Sequence, residues 1–196
     1  MQFRRVGSEK DRERVRSFFA ENLADQTGYP IPPRSLDAEI GIPSILRVAE
    51  DEDGTIQAAM FASRNPEDVL RWRYRGQMRV ASVIADEMLM IHEVAVAPAH
   101  RRRGLGAKLI AAGIDDARGS DASVVTVIFD DSQPGLYEFY TRSGFHALDR
   151  GELLNMRFAQ LEGVSIGFPQ DNPTYRWGVL PLNSRRVKIL PPGPVR

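Results

Sequence analysis

The sequence predicts an α/β fold with parallel pairing at the centre of its sheet, followed by an extended appendage. Three features carry this prediction. An apolar run over 88–96 is interrupted only by His92-Glu93 and bounded by Pro98; an amphipathic helix over 104–117 comes after it; and a continuous β-branched run over 123–129 comes next. A strand, a helix and a second strand apolar on both faces make a crossover unit, which brings the two strands parallel.

The remaining elements are read in chain order. Residues 2–6 form a short strand, and Ser8 is a helix N-cap with Asp11 at the third helical position. Val15, Phe18, Phe19 and Leu23 then recur at helical spacing, giving a helix to about residue 25. Gly28, Pro30, Pro32, Pro33, Gly41 and Pro43 make 26–43 a loop, with at most a short helix around 34–39. Strands 45–50 and 56–63 flank Asp51-Glu52-Asp53-Gly54, a hairpin turn. Asn65-Pro66-Glu67 can open a helix, and 64–79 interleaves Arg64, Arg71, Arg73, Arg75 and Arg79 with Trp72 and Tyr74. This segment reads as a solvated helix face or hairpin, or as a patch for an acidic acceptor or nucleic acid. In the helix over 104–117, Leu105, Leu109, Ile110 and Ile114 share one side and Gly119 ends it. A short helix spans 134–143, and 145–148 with 153–158 is expected to make a final hairpin. That gives about seven strands. Tyr175–Leu182 and Arg186–Leu190 are two further candidate strands.

Composition narrows the class. At 196 residues, with 42% apolar and 27% charged residues, the chain suits one soluble globular domain with an appendage. The formal net charge is zero, so nucleic acid or an anionic membrane could be attracted only by a local patch. The absence of cysteine excludes disulfides, thiolate metal sites and a cysteine nucleophile. No apolar run approaches the roughly 20 residues of a membrane span, and the charged N-terminal segment does not read as a secretory signal, so a cytoplasmic protein is expected.

The chemistry concentrates in Glu93-Val94-Ala95-Val96-Ala97-Pro98-Ala99-His100-Arg101-Arg102-Arg103-Gly104-Leu105-Gly106-Ala107. A strand ends at Pro98, and a basic turn with two glycines opens directly into a helix. The first helical N–H groups lack intrahelical partners, and the helix N-terminus carries about half a positive charge. Glycines let a phosphate approach these amides, and the arginines stay charged at any ordinary pH. A diphosphate suits this arrangement. The Gly-Lys-Ser/Thr ending of the Walker loop is absent, and the dinucleotide fingerprint needs three spaced glycines.

Arg101, Gly104 and Gly106 resemble motif A of the GNAT acetyltransferases, Arg/Gln-x-x-Gly-x-Gly/Ala. Further on, Tyr140-Thr141-Arg142-Ser143-Gly144-Phe145 is similar to that family's Tyr-x-x-x-Gly-Phe segment. The resemblance is strongest over 88–158 and implies a family domain over 1–159, with 160–196 as a C-terminal extension of packed strands. It implies a mixed sheet flanked by helices and splayed between its fourth and fifth strands. Acetyl-CoA would be the co-substrate, with no metal. Its pyrophosphate would lie on Arg101, Arg102, Arg103, Gly104, Leu105, Gly106 and Ala107, and its pantetheine would pair beside Val94 and Val96.

An amine acceptor must lose a proton before attacking a thioester, and the departing thiolate needs one. By resemblance, Glu93 is the candidate general base and Tyr140 the candidate proton donor. Each also has a plainer reading, Glu93 as a salt-bridged or rim carboxylate and Tyr140 as a core aromatic. His92 is an alternative base, although a regular strand would turn it to the opposite face unless a bulge intervenes. Tyr137 is the fallback donor, and Gln133 stands roughly where many relatives carry a pantetheine-binding Asn. Asp130-Asp131 could face an amine acceptor but reads more simply as a helix-capping element, and the three histidines have no metal-ligand spacing. The expected partner is a small-molecule or peptide amine. The alternative is a non-catalytic acyl-CoA-binding or sensing module. The apolar content of 160–196 requires it to pack against the domain or against a second subunit in a homodimer.

Overall fold

The computed structural model describes residues 1–23, 31–32, 44–64, 66–120, 122–162, 164–170 and 172–192. Most of the loop expected over 26–43, including its short helix around 34–39, lies outside the described residues. The elements in order are β1 (Gln2–Val6), α1 (Glu9–Asn22), β2 (Ile45–Glu50), β3 (Ile56–Ser63), α2 (Pro66–Tyr74), α3 (Met78–Glu87), β4 (Met88–Val96), α4 (Leu105–Gly119), β5 (Val124–Asp130), α5 (Leu136–Arg142), β6 (His146–Ala147), β7 (Leu153–Arg157), β8 (Ser165–Pro169), β9 (Tyr175–Pro181) and β10 (Val187–Leu190). The larger sheet has seven strands in the order β1-β2-β3-β4-β5-β9-β6, and a second sheet has the order β10-β7-β8. The chain forms two compact units, 1–64 with 91–116 and 65–90 with 117–196, so β4 contributes residues to both.

In the first unit, the Ser8 hydroxyl oxygen accepts the Asp11 N–H at 3.1 Å and donates to the Asp11 carboxylate at 2.7 Å, which starts α1. The helix then buries Val15, Phe18 and Phe19 against Val6, Leu46, Val48, Ala59, Phe61 and Ala95. Each large side chain withdrawn from water contributes about 1.5–3 kcal/mol. The other face of the sheet carries α4. A Cβ added to Gly113 would stand 2.8 Å from Met60 Cε and 3.7 Å from Ile91 Cδ1, so the helix lies close on the strands. Arg47 of β2 donates twice to Asp116 of α4, at 2.7 and 2.8 Å. Buried Glu50 accepts from Arg4 at 2.6 and 2.9 Å and from Arg14 at 2.9 Å, joining β1, β2 and α1.

In the second unit, the arginine-rich segment resolves into two helices, α2 and α3, turned by Gly76 at φ +73°. They bury Val69, Ala81, Val83 and Ile84 and leave Tyr74 and Met78 exposed. Arg75 stacks on Trp72 at 5.6 Å. The Ser123 N–H donates to the Glu87 carbonyl at 2.8 Å and the Thr126 hydroxyl to the Leu89 carbonyl at 3.4 Å. Residue numbers rise together along both segments, so β4 and β5 are parallel, as the crossover pattern predicts. The buried Glu87 carboxylate accepts from the Ser123 hydroxyl and from Arg186.

The final hairpin expected from 145–148 and 153–158 does not form. β6 pairs with β9, and β7 pairs with β8 and β10. The reason lies in the competing partner. β9 offers seven residues in antiparallel register with β5, from Val124↔Pro181 to Asp130↔Tyr175, whereas β6 is only two residues long. Strand β9 therefore stands between β5 and β6, inside the larger sheet. Strand β8 is not legible in the sequence, because Pro169 and the neighbouring glycine mask the alternation that buries Phe168.

Candidate active site

After β4, a turn of 3₁₀ helix over Pro98–His100 leads into Arg101, whose Nε donates to the Val96 carbonyl at 3.1 Å. Arg102 and Gly104 then both take left-handed backbone conformations, φ +59° and +78°. Backbone units that turn in this way direct successive N–H groups into one concavity. The first ladder bond of α4 runs from the Lys108 N–H to the Gly104 carbonyl, at 3.0 Å. The N–H groups of Leu105, Gly106 and Ala107 therefore precede the ladder, at the positive end of a 15-residue helix. Arg101, Arg102, Arg103 and Gly104 are exposed, Leu105 and Gly106 are buried, and a Cβ on Gly104 would meet open space. This turn fits an anionic diphosphate on geometric grounds as well as on charge.

In the strand leading to it, burial alternates from Ile91 to Val96, with Ile91, Glu93 and Ala95 buried and His92, Val94 and Val96 half-buried. His92 stacks on Phe61 of β3, ring centroids 4.9 Å apart. Ala95 lies in the same cluster as Phe61.

His92 Nε2 lies 2.8 Å from the Ser63 hydroxyl, and burial pushes its pKa down to about 3. It is neutral at physiological pH. Ser63, buried at the end of β3, carries no signal in the sequence, since only the β3–β4 pairing brings it to His92.

Tyr140 belongs to the second unit. It is buried, stacked on Phe129 at 5.0 Å and set edge-on to Phe139 and Phe145 at 5.1 and 5.9 Å. The core-aromatic description holds for the ring. Tyr137 is exposed, its ring 5.5 Å from the Arg176 guanidinium, and Arg176 pairs with Asp131 at 2.6 Å. Asp130 accepts from the Ser132 hydroxyl and N–H, which hold its carboxyl below the usual range, so it closes a local turn rather than capping a helix: the N-cap of α5 is Gly135, with no side-chain bond. The Gln133 N–H donates to the Asp130 carbonyl in the same turn. His146 pairs with Glu152 at 2.9 Å. Among the described residues, no group of three His, Asp or Glu is placed to hold a metal, and no helix is long and apolar enough to cross a membrane.

Together these features define an α/β protein with an exposed, arginine-rich turn at the head of its crossover helix. Residues 17–145 match the profile of the acetyltransferase (GNAT) family, and the chain belongs to that family. Solved structures of similar fold include an N-acetyltransferase from Staphylococcus aureus Mu50, at 13% identity and TM-score 0.58, covering 93% of this chain and 100% of that one. A ribosomal-protein-alanine N-acetyltransferase from Brucella melitensis gives 15% identity and TM-score 0.56, covering 93% and 100%. A candidate acetyltransferase from Salmonella typhimurium, solved with its cofactor acetyl-CoA, gives 15% and 0.56, covering 93% and 95%. A comparison with curated protein sequences finds no match.

Proposed function

We propose that the protein transfers an acetyl group from acetyl-CoA to a primary amine, by direct attack within a ternary complex. The observation that supports this reading is the turn 101–107, in which left-handed Arg102 and Gly104 stand directly before the N-terminus of α4, in a chain of the acetyltransferase family. In this reading the diphosphate sits on the N–H groups of Leu105, Gly106 and Ala107 with Arg101, Arg102 and Arg103 around it, and the pantetheine runs as an added strand beside Val94 to Val96.

Glu93 removes a proton from the acceptor ammonium. The freed nitrogen lone pair attacks the thioester carbonyl carbon, the C–S bond breaks, and the sulfur leaves as thiolate. Tyr140 gives that thiolate its phenolic proton and recovers one from the nitrogen as the amide forms. The net reaction consumes an ammonium and a thioester and releases an amide, a thiol and one proton. Three phenyl rings hold the Tyr140 ring, so its hydroxyl has a fixed direction.

Both small amines and peptide N-termini are acceptors to screen. The test is thiol release from acetyl-CoA across an amine panel. Acceptor-dependent release that disappears in Tyr140→Phe supports the reading. The enclosure of Tyr140 also suits a second reading, acyl-CoA binding without chemistry; stabilisation by acetyl-CoA with no turnover on any amine would favour it.

A further inference from the structure

We propose that the tip of the α2–α3 hairpin, Arg71 to Arg79, is a docking surface for single-stranded nucleic acid. The inference is independent of the catalytic reading above. From Val69 to Ala85 the chain carries four arginines and no acidic residue, in a molecule whose formal net charge is zero. Two of the four are engaged: Arg71 pairs with Asp68 at 3.1 Å, and Arg79 donates to the Gln160 carbonyl. Arg73 and Arg75 have no acidic partner among the described residues. The Arg75 guanidinium lies over the Trp72 ring at 5.6 Å, which holds a planar cation while leaving its N–H edges free for phosphate oxygens. The tip also carries the two most exposed large apolar side chains among the described residues, Tyr74 at 87% and Met78 at 58%. Arginines in the last turn of a helix complement its dipole, which accounts for Arg71 and Arg73 but not for an exposed ring beside them.

The backbone fixes how these groups are presented. The Gln77 N–H donates to the Trp72 carbonyl and the Gly76 N–H to the Arg73 carbonyl, both at 2.9 Å, with Gly76 at φ +73°. These paired bonds are a glycine-closed helix stop, so Tyr74 and Arg75 stand on an ordered turn. Val69, Ala81 and Ile84 anchor the hairpin beneath it. A single strand matches both halves of this surface: its phosphates meet the arginines, and its unpaired bases stack on the tyrosine ring whatever their sequence. A duplex keeps its base faces inside the stack. An acidic peptide would answer the charges and leave the ring unused. A membrane surface calls for a broad apolar helix face, which one tyrosine and one methionine do not supply.

The test is fluorescence anisotropy of labelled oligo-dT and oligo-U, each of about 12 nucleotides, titrated with the full chain between about 50 and 200 mM salt. Tyr74→Ala should weaken binding about tenfold while melting like the wild type, and Tyr74→Phe, which keeps the ring, should bind normally. Arg73→Gln combined with Arg75→Gln should lower the slope of log affinity against log salt by about 1.4, the share of two phosphates on a single strand. Binding of either strand with this dependence supports the proposal, and the tighter of the two names the sugar. Three outcomes would overturn it. Oligonucleotide binding indifferent to Tyr74→Ala would leave the ring without a role. Polyglutamate or vesicles of phosphatidylglycerol bound as tightly as the oligonucleotides would make the tip a site for an acidic protein segment or a membrane. Loss of binding in Arg102→Gln combined with Arg103→Gln, with none at the tip, would move the nucleic acid to the turn before α4.

Discussion

Val127 Cγ2 lies 2.6 Å from the point where a Cβ on Gly178 would stand, and Phe145 Cβ lies 3.4 Å from that point. Gly178 sits in β9 opposite Val127 of β5 on one side and Ala147 of β6 on the other. A branched, fully buried valine cannot retreat, so Gly178→Ala must separate the strands. The expected cost is about 1–3 kcal/mol. At roughly 2–4 °C per kcal/mol for a chain of this size, a thermal melt would read it as a clear drop in Tm. An unchanged Tm would mean that β9 does not pack here.

Truncation at residue 159 extends the same argument. It removes β8, β9 and β10, and with β9 goes the seven-residue partner of β5. On the sequence alone, the expected outcome is reduced solubility or altered assembly with coenzyme A binding largely retained. Given the pairing, we expect the truncated chain to lose the cooperative melt of residues 65–90 and 117–159, as seen by hydrogen exchange on β5. Native protection of β5 without the tail would contradict this.

The ion-pair group around Glu50 predicts a pH dependence. Hydrogen bonds from Arg4, then Arg14, hold the Glu50 carboxyl below its ordinary value of 4.5, and Ser8, then Arg4, do the same for Asp11 below 3.8. Both carboxyls bind protons less readily folded than unfolded. Their stabilisation is thus complete above the unfolded values and is lost as pH falls through the lower folded values. Tm should decline between about pH 5 and pH 2, and Glu50→Gln should be less stable at pH 7 with a flatter decline. Parallel curves for the two proteins would remove Glu50 from the account.

In the turn 101–107, Gly104→Val places a β-branched side chain at φ +78°, a conformation such residues rarely adopt. Acetyl-CoA should raise the Tm of the wild-type chain by binding the folded state, and the variant should lose most of that shift. Gly119→Ala, at the far end of α4 with open space around its Cβ, is the control expected to keep it. Equal shifts in all three proteins would separate the turn from acetyl-CoA binding.

Tyr140→Phe retains every ring contact and removes only the hydroxyl. It should keep both its Tm and its acetyl-CoA shift while turnover falls about 10²–10⁴-fold. Tyr140→Ala should also unfold more easily, by about 3–5 kcal/mol, because it empties a site among three phenyl rings. Glu93→Gln should lose rate chiefly near neutral pH and recover partly at high pH, where the amine is already deprotonated. Full turnover in Tyr140→Phe would leave that residue a purely structural role.

Local chemistry is legible in the sequence wherever one short segment carries its own instructions. The Ser8 cap, the Asp-Gly hairpin, the apolar run of β4 and the glycine-punctuated turn into α4 are set by backbone preferences and side chains within a few residues, and the folded chain contains each of them. Strand pairing is not legible in this way. Whether 145–148 joins 153–158 or 175–181 depends on which distant segment buries more surface against β5, and no local pattern ranks those partners. The same holds for His92 and Ser63, 29 residues apart. The sequence by itself determined most of the elements and the resemblance that names the family. Only the tertiary structure decided that the tail contributes a strand between β5 and β6, and that Ser63 meets His92, because both depend on contacts between segments far apart in the chain.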